Sequence, residues 1–133
     1  MMYLLDTNIC IYLIKKQPPS VLRHLKSRQL TEVSISTVTL AELQYGVRKS
    51  LQRDKNQLAL NHFLLPLEII PFDASAADIY GTIRSDLESR GKVIGPLDMM
   101  IAAHAKSCAA TLVTNNLKEF SRVKDLKLEN WVD

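Results

Sequence analysis

Asp6, Glu42, Asp98 and Asn116 are the residues whose types and spacing could do chemistry together, because each stands where a strand gives way to a helix or where a helix begins. The set offers oxygen donors only. With no His or Cys among them, such residues suit a hard divalent cation, Mg2+ first with Mn2+ as a substitute, and Asp6 and Asp98 are the expected direct ligands. Carboxylates crowded into one place repel one another and hold their protons more tightly, a cost that a cation removes. Taken singly, each position has a plainer use: Asp6 as a helix cap, Thr39 with Glu42 as a T-x-x-E capping box, Asp98 facing a helix dipole, Asn116 with Glu119 as an N-x-x-E cap. It is the four together that point to a site.

The elements that must position them can be read from periodicity. Tyr3-Leu4-Leu5-Asp6 reads as a short buried strand, with Thr7-Asn8 and the apolar stretch from Ile9 to Ile14 as the helix after it. After Pro18-Pro19-Ser20, Val21, Leu22 and Leu25 have helical spacing through Lys26. Val33 to Ser36 alternates as a second strand, and Leu40, Leu43 and Val47 share the face of a long helix. Leu58 to Leu65 is helical, Leu67 to Ile70 is a third strand, and Ala74 to Arg90 is a helix apolar at Ala77, Tyr80, Ile83 and Leu87, stopped by Gly91. Gly95-Pro96-Leu97-Asp98 launches a helix over Met99 to Cys108, with Pro96 in or near its first turn. Thr111 to Thr114 is a fourth strand, Asn116 to Phe120 a helical turn, and Leu126 to Leu128 a last edge strand before Trp131.

Strands alternating with helices predict an α/β fold of three layers, with a mostly parallel central sheet between helices. Ligands of such sheets bind at the carboxyl edge of the strands. Asp6 ends the first strand, Glu42 lies in the first turns of the helix after the second, Asn116 follows the fourth directly, and Asp98 opens a helix that must descend from the same edge for the fourth strand to rise parallel.

At 133 residues the chain is one domain, 1–133. A hydrophobic content of 47%, 23% charged residues and a mean hydropathy of −0.02 match a globular protein rather than a disordered one. No signal-like or membrane-spanning run is present, so a cytoplasmic location is expected, with no membrane partner. Cys10 and Cys108 match no metal spacing and read as small buried apolar residues. The net charge is +3; with the acids gathered at one site, the remaining surface is basic, at Lys15, Lys16, Arg23, Lys26, Arg48, Lys49, Arg53 and Lys118. An acidic hole in a basic field suits a polyanion cut with the help of a metal.

Four stretches carry a resemblance to a known family: Leu5-Asp6-Thr7-Asn8; Ser36 to Leu43 with Gly46; Gly95 to Ala105; and Val113-Thr114-Asn115-Asn116 with Glu119-Phe120. In order and separation they resemble the motifs of PIN-domain ribonucleases, and with the closing Glu129-Asn130-Trp131 the chain resembles the VapC toxins of type II toxin–antitoxin pairs. The resemblance implies a PIN-like fold and a Mg2+-dependent endoribonuclease, usually a homodimer. It further implies a VapB-type antitoxin that holds the toxin inactive and binds operator DNA, and a tRNA substrate cut in the anticodon region, initiator tRNA being the first candidate. One departure stands out. The fourth position, commonly Asp in the family, is Asn116 here, so the missing charge falls to Glu119 or Asn116 orients a water, which argues against a second metal.

The mechanism expected on this basis is hydrolysis of an RNA phosphodiester. Asp6 and Asp98 hold the metal, Glu42 orients water as outer ligand or base, and Thr7, Asn8, Thr114, Asn115 and Glu119 support them. Tyr12, Tyr45 and Phe120 are expected in the core or an interface, and His104, six residues past Asp98 in an apolar helix, is expected to be packed rather than to act as a base. Two alternatives stay open at this point. One is a metal-dependent phosphatase using Asp6 as nucleophile, although Asn8 stands where its second Asp belongs. The other is a non-catalytic module on the same fold that binds RNA or antitoxin.

Overall fold

Tyr3-Leu4-Leu5 is apolar on both faces of an extended chain, and it forms the middle strand of the molecule, β1 (Tyr3–Leu5). The structure, a computed structural model, describes residues 2–133. After β1 come α1 (Thr7–Lys15), α2 (Pro19–Lys26), a 3-10 turn at Leu30–Glu32, β2 (Val33–Ser36), α3 (Thr37–Lys49) and α4 (Arg53–Leu64). The second half comprises β3 (Glu68–Ile70), α5 (Ala74–Ser89), α6 (Pro96–Ser107), β4 (Thr111–Val113), α7 (Leu117–Phe120) and β5 (Leu128–Glu129).

The sheet is five-stranded and parallel throughout, in the order β3-β2-β1-β4-β5. Tyr3 pairs with Val33 on one side and Thr111 on the other, Leu5 with Val113, and Ser36 with Ile70. The ends of β1, β2, β3 and β4 therefore lie along one edge. The pleat sends Tyr3 and Leu5 into a core with Ile9, Val21, Leu60 and Trp131, and sends Leu4 into a second core with Ile83, Leu87, Ile101 and Leu112. Helices cover both faces, which is the expected α/β/α arrangement.

Local chemistry sets the helix starts. Asp6 caps α1, Ser36 caps α3 by accepting the Val38 N–H at 3.0 Å, and Asp73 caps α5 by accepting that of Ala76 at 3.0 Å. The Thr39–Glu42 capping box does not form. Helix α3 begins at Thr37, so Thr39 is already inside it, fully buried, and its hydroxyl finds no hydrogen-bond partner among the described residues. Asn116 does precede α7, but its side chain makes no cap hydrogen bond. On α5 the buried alanine is Ala76, while Ala77 faces out. Helix α4 begins at Arg53, a turn before its first apolar residue, and β5 is displaced to Leu128–Glu129. Gly91, at φ 65°, ends the run after α5 in the left-handed region that favours glycine.

Candidate metal centre

Asp6 leaves β1 at the carboxyl edge with its backbone still in the ladder, its N–H donating to the Val113 carbonyl at 3.0 Å. Both carboxylate oxygens are held. Oδ1 accepts the Ile9 N–H at 2.9 Å, and Oδ2 accepts the hydroxyl of Thr114, the residue just past β4, at 2.5 Å. Thr114 in turn accepts the backbone N–H of Asn116 at 2.9 Å. The capping geometry of α1 and the adjacency of β1 and β4 thus aim one carboxylate at the edge. Burial raises the Asp6 pKa and the charge of Glu42 adds to the rise, while the hydrogen bonds from Thr114, Ile9 and Asn8 pull against it.

Glu42, in the second turn of α3, accepts the Thr7 hydroxyl on Oε1 at 2.5 Å. Thr7 is the first residue of α1, so this bond ties α3 to the helix that Asp6 caps. Asp98 lies in the first turn of α6, and its Oδ2 is 3.6 Å from where a Cβ on Gly95 would sit, so the residue there is small beside the carboxylate. Its pKa is pushed up to about 6, first by burial and then by the charges of Glu42, Glu119 and Asp6. Four carboxylates, one from the cap of α1 and the others from α3, α6 and α7, therefore share one field.

The remaining expected residues divide. Thr7 and Thr114 hold Glu42 and Asp6 directly, and Asn8 reaches Asp6 through its backbone. Asn116 joins through its backbone N–H, whereas Glu119 contributes charge that Asp98 feels. The Asn115 side chain is engaged elsewhere, accepting from Asn130 at 3.2 Å on the surface. Gly95, the residue that launches α6 in the sequence, lies beside Asp98. Tyr45 is not in the core: it is 66% exposed, with the Lys49 ammonium 5.1 Å from its ring centroid. Of the basic residues, Lys15, Lys16, Lys26, Arg48, Lys49, Arg53 and Lys118 stand exposed, while Arg23 is paired with Asp133 at 2.8 Å.

The donor set fits a hard divalent cation, being oxygen throughout, with the Asp6 and Asp98 carboxyls raised in pKa first by burial and then by neighbouring negative charge. It is open. Among the described residues no three carboxylates, histidines or cysteines close into a ready-made cage, and Mg2+, which keeps several of its waters, does not require one. Cys10, fully buried near Asp6, is no rival ligand, since burial and then the Asp6 charge push its thiol well up. Both cysteines are free.

Residues 3–126 match the family model of the PIN domain. The chain is 50% identical over 132 residues to ribonuclease VapC2 of Rickettsia felis, covering 98% of each chain. This chain belongs to the PIN-domain family, among the VapC proteins. It is also 43% identical over 129 residues to the tRNA(fMet)-specific endonuclease VapC of Shigella flexneri, covering 97% of each. Its fold superposes on the crystal structure of VapBC2 from Rickettsia felis bound to a DNA fragment from their promoter, with a TM-score of 0.93, 49% identity, and coverage of 99% of this chain and 100% of that one. No helix of the described residues is long and apolar enough to cross a membrane.

Proposed function

We propose that this protein is a Mg2+-dependent endoribonuclease toxin that hydrolyses RNA phosphodiester bonds. The observation that carries the reading is the gathering of Asp6, Glu42, Asp98 and Glu119 at the carboxyl edge of a PIN-domain sheet, where burial and then the charges of Glu42, Glu119 and Asp6 raise the Asp98 pKa to about 6. Asp6 and Asp98 would hold the cation directly. When bound, it supplies a polarised phosphate and a water of lowered pKa. Glu42, its Oε1 fixed by Thr7, has its other oxygen left to accept the proton of an attacking water. Thr114 and the Ile9 N–H keep Asp6 from turning, and Glu119 adds the negative charge that Asn116 lacks. With both Asp6 oxygens so restrained, the residue suits a fixed ligand better than the nucleophile of a phosphatase.

The exposed lysines and arginines would hold the RNA backbone without regard to sequence, leaving discrimination to RNA shape and unstacked loop bases. The first substrate is tRNA cut in the anticodon region, initiator tRNA before others, supported by the name of the Shigella flexneri relative. A VapB-type antitoxin is the inferred partner, with operator DNA reached only through it, supported by the promoter-bound VapBC2 complex of the Rickettsia felis relative. The toxin is further inferred to work in the cytoplasm as a homodimer.

The test incubates the purified chain with total tRNA and with a labelled initiator anticodon stem-loop, in Mg2+ and in EDTA. Cleavage in Mg2+ alone, mapped to the anticodon loop, is expected. Binding without cutting in either Mg2+ or Mn2+ would turn the reading to the non-catalytic module.

A further inference from the structure

Six residues after Asp98 on α6 stands His104, 1% exposed, whose Nδ1 lies 2.7 Å from the Ser36 hydroxyl oxygen. Ser36 lies six residues before Glu42, at the junction of β2 and α3, and its Oγ also accepts the Val38 N–H as the cap of α3. One buried hydrogen-bonded chain thus runs from the helix that carries Asp98 to the start of the helix that carries Glu42. Phe72 closes its flank, edge-on to the imidazole with centroids 5.6 Å apart, and the Phe72 N–H donates to Thr37 Oγ1 at 3.0 Å. The start of α3 is therefore gripped from α6 and from the segment after β3.

Apolar packing also joins these helices, with Val38 of α3 in one core with Ile101, Ala102 and Ala105 of α6. Apolar contacts are non-directional and permit small slips, whereas a buried hydrogen bond fixes both distance and angle. Burial lowers the imidazole pKa against the opposing charge of Asp73, which favours the neutral ring. A neutral ring that accepts the Ser36 O–H on Nδ1 leaves the Ser36 oxygen free to accept the Val38 N–H.

We propose that His104 is a positioning residue of the acidic centre: through Ser36 it fixes the start of α3 against α6 and so sets the spacing of Glu42 from Asp98. The proposal rests on the reading of these acids as a cation site. It assigns a task to a histidine that holds no cation and touches no RNA.

The test uses the full chain with Mn2+ as the probe, and with tRNA for turnover, at temperatures well below each variant's Tm. His104→Leu removes the hydrogen bond at similar volume, and His104→Asn returns an amide close to the position of Nδ1. For His104→Leu, Mn2+ affinity and kcat are each expected to fall about tenfold with little change in KM, the usual cost of losing a group that orients ligands. His104→Asn should restore both to within about threefold of the wild type, and adding Ser36→Ala to His104→Leu should cost little more than the larger single loss. A merely structural histidine would lower Tm and leave the Mn2+ affinity and kcat of the folded chain unmoved, and that result overturns the proposal. So does His104→Asn behaving like His104→Leu. If His104→Leu does not fold, His104→Gln takes its place, since its amide reaches toward Nε2 rather than Nδ1; its matching His104→Asn would also overturn the proposal. A wild type that neither binds Mn2+ nor cuts RNA removes the underlying reading, and the proposal with it.

Discussion

Thr114 donates its hydroxyl to Asp6 Oδ2 at 2.5 Å, joining residues 108 positions apart, because β1 and β4 are neighbours in the sheet and both end at the same edge. The bond is buried, and the Asn116 N–H completes it from the other side at 2.9 Å. It pulls the Asp6 pKa down against the larger rise that burial causes, and it fixes the direction in which the carboxylate points.

Removing that hydroxyl has a predicted cost. Thr114→Val should lower RNA cleavage about 10- to 100-fold, the range typical of groups that orient metal ligands, and should raise the Asp6 pKa further. Thr114→Ser, which keeps the hydroxyl, should stay close to the wild type. Rates with labelled tRNA and a carboxyl titration by NMR check both.

Asn116 and Glu119 divide the fourth position unevenly. Asn116 acts through its backbone N–H, so Asn116→Ala should retain most activity, whereas Glu119→Gln removes a charge that Asp98 feels. Glu119→Gln is therefore expected to lower the Asp98 pKa and to weaken Mn2+ binding by more than Asn116→Ala does. Side-by-side calorimetric titrations decide it, and the reverse order would return the role to the amide.

A pH dependence follows from Asp98. Its folded pKa of about 6 lies above the usual 3.8, so the folded metal-free chain takes up a proton that the unfolded chain has already lost. The associated stability is fully present below about pH 4 and is lost as pH rises through about 6. Tm of the chain in EDTA should accordingly fall across that window from this group, and added Mn2+ should recover it above pH 6. Cleavage at low Mn2+ should rise with pH through the same region, and the acid limb should shift to lower pH as Mn2+ is raised, because the cation competes with the proton for the same carboxylate.

The carboxyl-terminal segment should matter to stability rather than to chemistry. Trp131 is fully buried, donates its indole N–H to Glu129 Oε1 at 2.8 Å, and packs against the His24 ring, 5.8 Å away and stacked, and the Arg28 guanidinium at 4.9 Å. Trp131→Ala should cost about 3–5 kcal/mol, as large-to-small changes of buried aromatics do. A lower denaturant midpoint with near-normal cleavage by the remaining folded fraction is the expected pairing.

The fold was legible where local signals were strong. The apolar runs at Tyr3–Leu5 and Thr111–Val113, Pro96 opening α6 and Gly91 closing the run after α5 put the parallel sheet and its edge in view, and with them Asp6, Asp98 and Glu42. Tertiary partners were not legible. Glu42 matched a capping box in sequence, but Ser36, leaving β2 in extended conformation, captured the Val38 N–H first, and Glu42 was left to reach Thr7, 35 residues away. The one-turn helix α7 is too short to show a phase, so only folding reveals that Glu119 rather than the Asn116 side chain adds to the acidic field. The polar first turn of α4 hid its start for the same reason, since periodicity speaks only where apolar residues recur.

We read the convergence of Asp6, Glu42, Asp98 and Glu119 as a cation site at which RNA is cut. Mn2+ binding and tRNA cleavage measured on the same preparations of wild type and Asp98→Asn test it most directly. The expected result is a wild type that binds Mn2+ and cuts, beside a folded Asp98→Asn whose affinity falls at least about tenfold and whose cleavage drops to the level seen in EDTA. An Asp98→Asn chain that binds Mn2+ and cleaves tRNA as the wild type does would contradict it.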